Sequence, residues 1–218
     1  LCAVVHDCPA QPYQSSDAGV AAAWVLAHHR VVETAWKRWG TVLPMTFNTI
    51  VTATEGRASD SLRAWLETEH ECLRSRLQAL GGKAEYGIQV FWDAALAARR
   101  VAQASPAIAK LEAEAASSPR GQAYMLRQRL EGLLRKEIEN LAAQEAQGLY
   151  EGLRRCAESV RVEKAKRDQD GRQMLLNLSC LVATERYPEL EAAVDRINGR
   201  EGCSVRLAGP FPPYSFCQ

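Results

Sequence analysis

With 218 residues, of which 47% are hydrophobic and 24% charged, the chain has the composition of a folded globular protein and the length for two compact units. Its 27 basic and 26 acidic side chains leave a formal net charge of +1, so no overall field attracts a nucleic acid or an anionic membrane surface. The apolar runs at 19–26 and 174–183 are too short to span a bilayer and no secretory signal pattern opens the sequence, so we expect a soluble cytoplasmic protein.

The first eighty residues predict a small α+β domain, residues 1–81. Leu1 to Val5 is an apolar run typical of a strand that needs a partner, and we expect a first strand to precede it in the natural protein. The pair Ser16-Asp17 offers an N-cap and Gly40 a C-terminal stop for a helix over about residues 16–38. The apolar residues at helical spacing in it are Val20, Ala23, Trp24, Ala27 and Val31.

Two short β-branched runs and a second helix complete this domain. Residues 41–43 and 49–51 predict short strands, and Pro44 between them limits strand pairing. From Glu55 to Leu80 apolar residues recur at spacings of three and four, which predicts one helix that a Gly-Gly pair ends.

The second predicted domain, residues 82–218, begins with a strand and a long helical region. Residues 84–92 are rich in aromatic and β-branched side chains and predict the strand. Residues 93–157 are helical throughout, with breaks at Pro106 and at 117–119, because proline removes a backbone donor and resets the chain.

Two strands, a helix and a last strand follow. The alternating run at 159–166 and the apolar run at 174–183 predict a hairpin around turn residues at 168–171. Pro188 lies just inside a helix that runs to residue 197, and residues 204–207 alternate as the last strand. The fold class is therefore α+β, and the second domain has the ferredoxin-like order βαββαβ with its first helix greatly extended.

The last part of the helical region carries one apolar stripe. Such a stripe either packs on the sheet or, where residues 120–148 extend past the sheet, leaves an exposed patch for a partner. Its members are Leu126, Leu130, Leu133, Leu134, Ile138, Leu141, Leu149 and Leu153.

Two segments of the sequence carry distinctive motifs. The closing run Gly209-Pro210-Phe211-Pro212-Pro213-Tyr214-Ser215-Phe216 resembles the terminal Gly-Pro-aromatic-Pro-Pro-Tyr-Ser-Phe signature of the gas vesicle protein GvpL/GvpF family. The block Val42-Leu43-Pro44-Met45-Thr46-Phe47, after a helix that carries His28, is similar to the Val-Leu-Pro-x-x-Phe block. The chain departs from the family at Asn48, where many members have glycine.

The resemblance implies an accessory or minor structural protein of gas vesicle assembly, with no enzymatic reaction, cofactor or small-molecule substrate. It implies contact with the hydrophobic main shell subunit and with other gas vesicle proteins, and localisation at the gas vesicle. A small-molecule-binding or enzymatic ferredoxin-like domain is the alternative, since that fold hosts many unrelated functions.

The residues of the two motifs have structural and functional interpretations. The closing prolines hold polyproline geometry and predict that the segment leaves the sheet, either to pack on its own domain or to present Phe211, Tyr214 and Phe216 to a partner. Pro44 and Phe47 predict a turn with an aromatic plug, and a partner contact is the alternative. The possible partner contacts are Pro44, Phe47, Gly209, Pro210, Phe211, Pro212, Pro213, Tyr214 and Phe216.

Metal and catalytic patterns are weak in this sequence. The seven cysteines are scattered and we interpret them as reduced, mostly small core residues. Cys2, His6 and Cys8 lack a fourth ligand at zinc spacing, and Asp168-x-Asp170-Gly171 lacks the closing glutamate of a calcium loop. No phosphate-binding, nucleophile-elbow or zinc-protease motif occurs, so the sequence predicts no catalytic residue.

Overall fold

The strands of the chain form one four-stranded antiparallel sheet. The structure, a computed structural model, describes residues 1–53, 56–165 and 172–217. The strands lie in the order β2-β3-β1-β4 and are β1 (Lys83–Trp92), β2 (Ser159–Val162), β3 (Gln173–Ala183) and β4 (Cys203–Phe211). Because successive side chains of a strand point to opposite faces, the nearly continuous burial of the inner strands β1 and β3 shows that both faces are covered.

The edge strands are more exposed than the inner pair. In β2, Val160 lies opposite Cys180 of β3 in an antiparallel register, and the other three residues of β2 are exposed. In β4 the last four residues are exposed. The predicted strands at 84–92 and 174–183 are confirmed to within a residue.

Seven α-helices connect or flank these strands in the described residues, and two short 3₁₀ turns follow β3 and β4. Two of the helices have a side-chain N-cap. Asp17 accepts hydrogen bonds from the amides of Gly19 and Val20, and Asp93 accepts them from the amides of Ala95 and Leu96. The helices are α1 (Ala18–Trp39), α2 (Ala58–Thr68), α3 (His70–Leu80), α4 (Ala94–Ala104), α5 (Pro106–Ser117), α6 (Arg120–Arg154) and α7 (Tyr187–Asn198).

The chain divides into two compact units. Unit 1 comprises Leu1–Glu85 and Pro210–Gln218, and unit 2 comprises Tyr86–Gly209. The units differ from the predicted ranges 1–81 and 82–218 mainly in the closing residues, which lie with the first unit because their hydrogen bonds go to Glu85 and His29.

Unit 2 buries its core between helices and the sheet. The helix α6 packs along α5 and α4 and also contacts β3 and α7. Leu149 and Leu153 at its C-terminal end are buried, whereas the stripe from Leu126 to Leu141 is half-buried. The first half of the stripe therefore covers α5 in a helical hairpin and is not a free apolar patch.

Three predicted strands of the first domain are wrong. Residues 1–5, 41–43 and 49–51 are irregular, and Leu1, Val4 and Val5 are more than half exposed. A strand needs a neighbouring strand to pair its backbone donors and acceptors. These three runs do not pair with the sheet, whose four strands all lie within residues 83–211.

The helix predicted over 55–80 is two helices with a junction at Glu69. The amide of Glu69 still donates to Trp65 and the amide of Leu73 to the Glu69 carbonyl, both at 2.9 Å. Because these bonds keep helical spacing across the junction, the apolar pattern carries no sign of it. The predicted start at Glu55 and the predicted turn at 168–171 lie outside the described residues.

The prolines of the closing run do not stop the last strand at once. The strand β4 continues through Pro210 to Phe211. It lies at the edge of the sheet, and an edge strand tolerates proline where its missing N–H would have faced away from the ladder. The chain leaves the sheet only at Pro212 and Pro213, which are fully buried.

The cysteines are free thiols in positions of different kinds. Cys156 and Cys180 are buried, but Cys2 and Cys72 are exposed, so the expectation that most are core residues is wrong. Across residues 1–53, 56–165 and 172–217, no helix combines the length and the apolarity that crossing a membrane requires.

Asn48 occupies a backbone conformation that favours glycine, with a φ of 71°. Its side chain also accepts from the Tyr13 amide at 2.9 Å and donates to the Tyr13 carbonyl at 3.2 Å. These two hydrogen bonds give asparagine a second reason for its place at this position.

We expect Asn48→Gly to lower the free energy of unfolding by about 1–2 kcal/mol, because it removes both bonds but keeps the permitted φ. Asn48→Ala adds backbone strain and should cost about 1 kcal/mol more. Urea unfolding of the two variants measures both effects. Equal stability of Asn48→Ala and Asn48→Gly would contradict the assignment of strain to this residue.

Candidate partner-binding surface

Helix α1 positions both family motifs in unit 1, because side chains of each motif pack against it. Ala35 is the one buried residue of the helix. The half-buried residues of the helix include Trp24, His28, His29 and Val32. Asp17 fixes where the helix begins, and Gly40, with a φ of 76°, ends it in the left-handed conformation.

An aromatic cluster holds the Val-Leu-Pro-x-x-Phe block against α1. The ring of Phe47 lies 5.8 Å from His28 in an edge arrangement and 6.2 Å from Tyr13. Tyr13 in turn lies 5.3 Å from Trp24. These spacings are typical of stabilising aromatic pairs. Phe47 is therefore a half-buried packing residue, and Pro44 in the same loop is also half-buried.

Two sets of polar contacts hold the closing segment, residues 209–217, to His29 and Glu85 of unit 1. Tyr214 and His29 share a hydrogen bond of 2.7 Å between the hydroxyl and Nδ1, and their rings lie 5.7 Å apart. Ser215 donates to Glu85 twice, from its amide to Oε2 at 2.7 Å and from its hydroxyl to Oε1 at 2.6 Å. Glu85 is only 8% exposed, so these donors replace the water that a carboxylate requires.

The electrostatics of this contact favour a neutral tyrosine. Burial, with the nearby carboxylates of Glu33 and Glu85 adding to it, raises the pKa of Tyr214 to about 12. The pKa of Glu33 is itself lowered, mainly by its hydrogen bond to Lys37. Because Glu33 stays ionised, a phenolate at Tyr214 would face negative charge in a partly desolvated place.

The predicted site residues divide into a buried and an exposed group. Pro212 and Pro213 are fully buried, and Tyr214 and Phe216 are half-buried. Gly209, Pro210 and Phe211 are exposed, so Phe211, at 36%, is the closing aromatic that lies most open to a partner.

A second set of side chains on α1 is apolar and exposed. We call Val20, Ala23, Leu26, Ala27 and Val31 the apolar face of α1. All five are exposed, with Val20, Leu26 and Val31 at 40%, 52% and 49%. The helix carries no charged residue before Arg30. The apolar residues that the sequence places at helical spacing in α1 are typical of a core-facing helix side. All of them except Trp24 are exposed instead.

Sequence reasoning missed the two anchors of the closing segment. Glu85 lies in a strand among apolar and polar neighbours, and nothing in its spacing distinguishes a buried carboxylate from a solvated one. His29 is adjacent to His28, and both turn out to pack, against Tyr214 and Phe47 respectively. The Tyr-Ser pair in the closing run was the available signal, since both side chains seek hydrogen-bond partners when buried.

The structure also describes no constellation for metal chemistry. Within its described ranges, no group of three or more His, Cys, Asp or Glu side chains lies close enough together to hold a metal ion. An open groove of about 440 Å³ in unit 1 is lined by Leu1, Ala3, Ser59, Leu62, Arg63, Leu66, Glu67 and His70. Its charged side chains are of both signs.

These features define a class: a mixed helix-and-sheet protein with a four-stranded sheet, a fastened closing segment and an open apolar helix face. The sequence profile of the family described as gas vesicle synthesis protein GvpL/GvpF matches residues 1–218. The chain belongs to the GvpL/GvpF family, which confirms the resemblance found in the sequence. Its role is therefore related to gas vesicles.

Named relatives agree with this family. Gas vesicle protein L of Haloferax mediterranei is 28% identical over 221 residues, which cover 98% of the chain and 67% of that protein. Gas vesicle protein L1 of Halobacterium salinarum is 29% identical over 220 residues, with 98% and 76% covered.

Solved structures share the fold. Gas vesicle protein GvpF from Anabaena sp. matches with a TM-score of 0.75 at 18% identity, over 97% of the chain and 82% of that structure. GvpF from Microcystis aeruginosa matches with a TM-score of 0.64 at 18% identity, over 97% and 83%.

The Ser215 hydroxyl should contribute measurably to stability. Ser215→Ala removes one donor from a buried carboxylate, and we expect a loss of about 1.5–3 kcal/mol in the free energy of unfolding. Urea denaturation of the full chain measures it. Ser16→Ala, a change at an exposed serine, is the control and should change stability by less than about 0.5 kcal/mol. Equal effects of the two substitutions would contradict the anchoring role of Glu85.

Tyr214 should make the stability of the chain sensitive to alkaline pH. Its folded pKa of about 12 lies above the ordinary value of 10.0, so its contribution is complete below about pH 10 and is lost as the pH rises toward 12. Tyr214→Phe cannot ionise, so the stability gap between wild type and variant should narrow over this range. Tm measured from pH 8 to 11.5 tests this, with Tyr124→Phe, at a tyrosine that is 62% exposed, as the control.

Proposed function

We propose that the chain is a non-enzymatic accessory or minor structural protein of gas vesicle assembly that binds the hydrophobic main shell subunit. The observation that carries the proposal is the apolar face of α1, which is open although its pattern is that of a buried helix side. Family membership supplies the context, and the face supplies a surface of the right chemistry. A factor that leaves the finished vesicle and a component that stays in it would both use this contact.

The lack of charge on this face supports an apolar partner. A helix partner that is itself very hydrophobic gains by covering aliphatic side chains, at about 25 cal/mol per Å² of apolar surface. Such a partner pays no penalty for desolvating charges here, because the first charged residue of the helix is Arg30. Recognition of a helix face by an apolar groove or helix is a common mode of protein contact.

The finer architecture belongs to the same proposal. We infer a small α+β domain at the N-terminus and a C-terminal domain of ferredoxin-like type, with α4 to α6 as its extended helical insertion. The strand order β2-β3-β1-β4 supports this assignment. We also infer that the protein acts at the gas vesicle from the cytoplasm, without nucleic acid, membrane or small-molecule substrate. Other gas vesicle proteins are its further partners.

The exposed residues of the closing motif are a separate proposed partner contact. Phe211 and its exposed neighbours Gly209 and Pro210 lie where β4 passes from unit 2 into unit 1 along the chain. An exposed aromatic beside prolines is a rigid anchor that loses little entropy on binding. The remaining motif residues, from Pro44 and Phe47 to Phe216, would then support the surface by packing and would not touch the partner.

Substitution of two aliphatic residues on this face should weaken shell-subunit binding. For Leu26→Ser/Val31→Ser we expect at least a tenfold loss of affinity, because two half-exposed side chains contribute about 1.5 kcal/mol or more when covered. Pull-down of the purified main shell subunit by the full chain measures binding. A parallel co-expression should show more shell subunit in the pellet with the variant than with wild type.

The matched control is Val5→Ser/Val162→Ser, at two aliphatic residues that are 69% and 67% exposed and lie off α1. This control should bind like wild type, and both variants should keep the wild-type Tm. If wild type and both variants bind the shell subunit equally, the apolar face of α1 is not the docking site. If none of the three binds it, the shell subunit is not the partner.

A further inference from the structure

We propose that the tip of the α5–α6 hairpin is a second docking site, which takes an acidic protein surface with an apolar pocket. The site lies in unit 2 and shares no residue with the apolar face of α1. We call it the basic tip, and it consists of Arg120, Tyr124, Met125, Arg127 and Arg129.

The charges of α6 are separated along its length. Residues 120–136 contain four arginines and one lysine but only one acidic residue, Glu131. Residues 137–153 contain four glutamates and no basic residue. A surface helix normally intersperses the two signs. The first half of this helix therefore carries a concentrated positive field.

This charge opposes the helix itself. The N-terminus of a helix carries partial positive charge and prefers acidic side chains, but the first turn of α6 has no acidic residue and begins at Arg120. No side chain caps this end, which starts at Pro119. Helix stability alone would favour acidic side chains in the first half of α6 and basic ones in the second half. A binding role explains why the charges are placed the other way round.

The arginines are also available. Arg120, Arg127 and Arg129 are exposed, and none of them forms an ion pair within residues 1–53, 56–165 and 172–217. Glu114, the acidic residue of α5 closest in sequence to α6, already pairs with Lys110 at 3.9 Å. Since a helix rises 1.5 Å per residue, the Cα atoms of the three arginines spread over about 13 Å along the helix axis.

Two large apolar side chains lie among these charges. Tyr124 is 62% exposed and Met125 is 68% exposed, whereas Ala123 and Leu126 beside them turn toward the protein. Tyrosine, methionine and arginine are the residue types enriched where protein interfaces are fully buried. A flexible methionine next to a rigid tyrosine suits a pocket, and arginines suit a carboxylate rim.

A protein partner fits these features better than a nucleic acid. Three arginines release about three counterions, which gives weak binding at physiological salt, and the chain as a whole has a net charge of +1. A second copy of the chain fits poorly too. Two of the four glutamates in the acidic half of α6 already have partners, since Glu145 accepts from Arg200 at 3.1 Å and Glu151 from Gln147 at 2.9 Å.

The test measures binding of the full chain to each purified gas vesicle protein of the same organism, one at a time, by biolayer interferometry at about 50 and 300 mM salt. We expect at least one acidic partner that binds wild type more weakly at high salt. Arg127→Glu/Arg129→Glu should weaken that binding at least tenfold and reduce its salt dependence. Tyr124→Ser/Met125→Ser should weaken it at least tenfold with the salt dependence kept.

Two controls separate a docking role from general effects. Arg99→Glu/Arg154→Glu makes the same change of charge at two other exposed arginines of unit 2 and should bind within twofold of wild type. Tyr124→Phe/Met125→Leu keeps the apolar volume and should retain binding. Because all these variants leave α1 intact, their binding to the shell subunit should equal that of wild type, which distinguishes this proposal from the proposed function.

Three results would overturn the proposal. The first is that no gas vesicle protein distinguishes the basic-tip variants from the matched control. The second is that a 20-nucleotide RNA, in fluorescence anisotropy at physiological salt, binds wild type but not Arg127→Glu/Arg129→Glu. The third is that sedimentation shows a dimer of wild type that this variant dissociates, which would make the tip a contact between copies.

Discussion

The buried carboxylate of Glu85 dictates where the closing segment lies. Glu85 is the one buried charged side chain among the residues that the structure describes. A carboxylate removed from water costs several kcal/mol unless donors replace the water. Ser215 supplies two donors, from its amide and its hydroxyl. A displacement of the segment would leave both oxygens without these donors, so this contact constrains the residues around it.

The order of the closing motif follows from this constraint. Pro212 and Pro213 carry the chain from the edge strand into the interior of unit 1, where both are fully buried. A turn then places Tyr214 on His29 of α1 and Ser215 on Glu85 of β1. Prolines reduce the entropy lost when this segment is ordered. The motif thus joins Glu85 and His29, both of unit 1, through one short and rigid segment.

The orientation of α1 follows in turn. His29 must meet Tyr214, and Trp24 and His28 must meet the cluster of Tyr13 and Phe47. Successive residues of a helix are about 100° apart, so Val20, Ala27 and Val31, at four, three and seven positions from Trp24, lie beside it on the helix surface, and all three are exposed. The exposed apolar face therefore borders the side of the helix that makes the aromatic contacts, and Trp24 lies at the boundary.

How far the sequence predicts this fold depends on the kind of information each element carries. The strands at 83–92 and 173–183, the breaks at Pro106 and 117–119 and the caps Asp17 and Gly40 follow from local chemistry, and each was predictable. Apolar runs such as 1–5 were not, because a strand exists only where the sheet has a place for it. Glu85 was not predictable either, since its burial depends on a residue 130 positions away.

The two open surfaces differ in chemistry, and this difference bears on how the chain would act. The apolar face of α1 has no charge before Arg30, whereas the basic tip of α6 has three arginines around two apolar side chains. A single partner that matched both would need an uncharged region and an acidic region on one molecule. Two partners need no such coincidence, and the surfaces belong to separate units. Simultaneous binding would raise the effective concentration of one partner near the other, as the proposed accessory role in assembly requires.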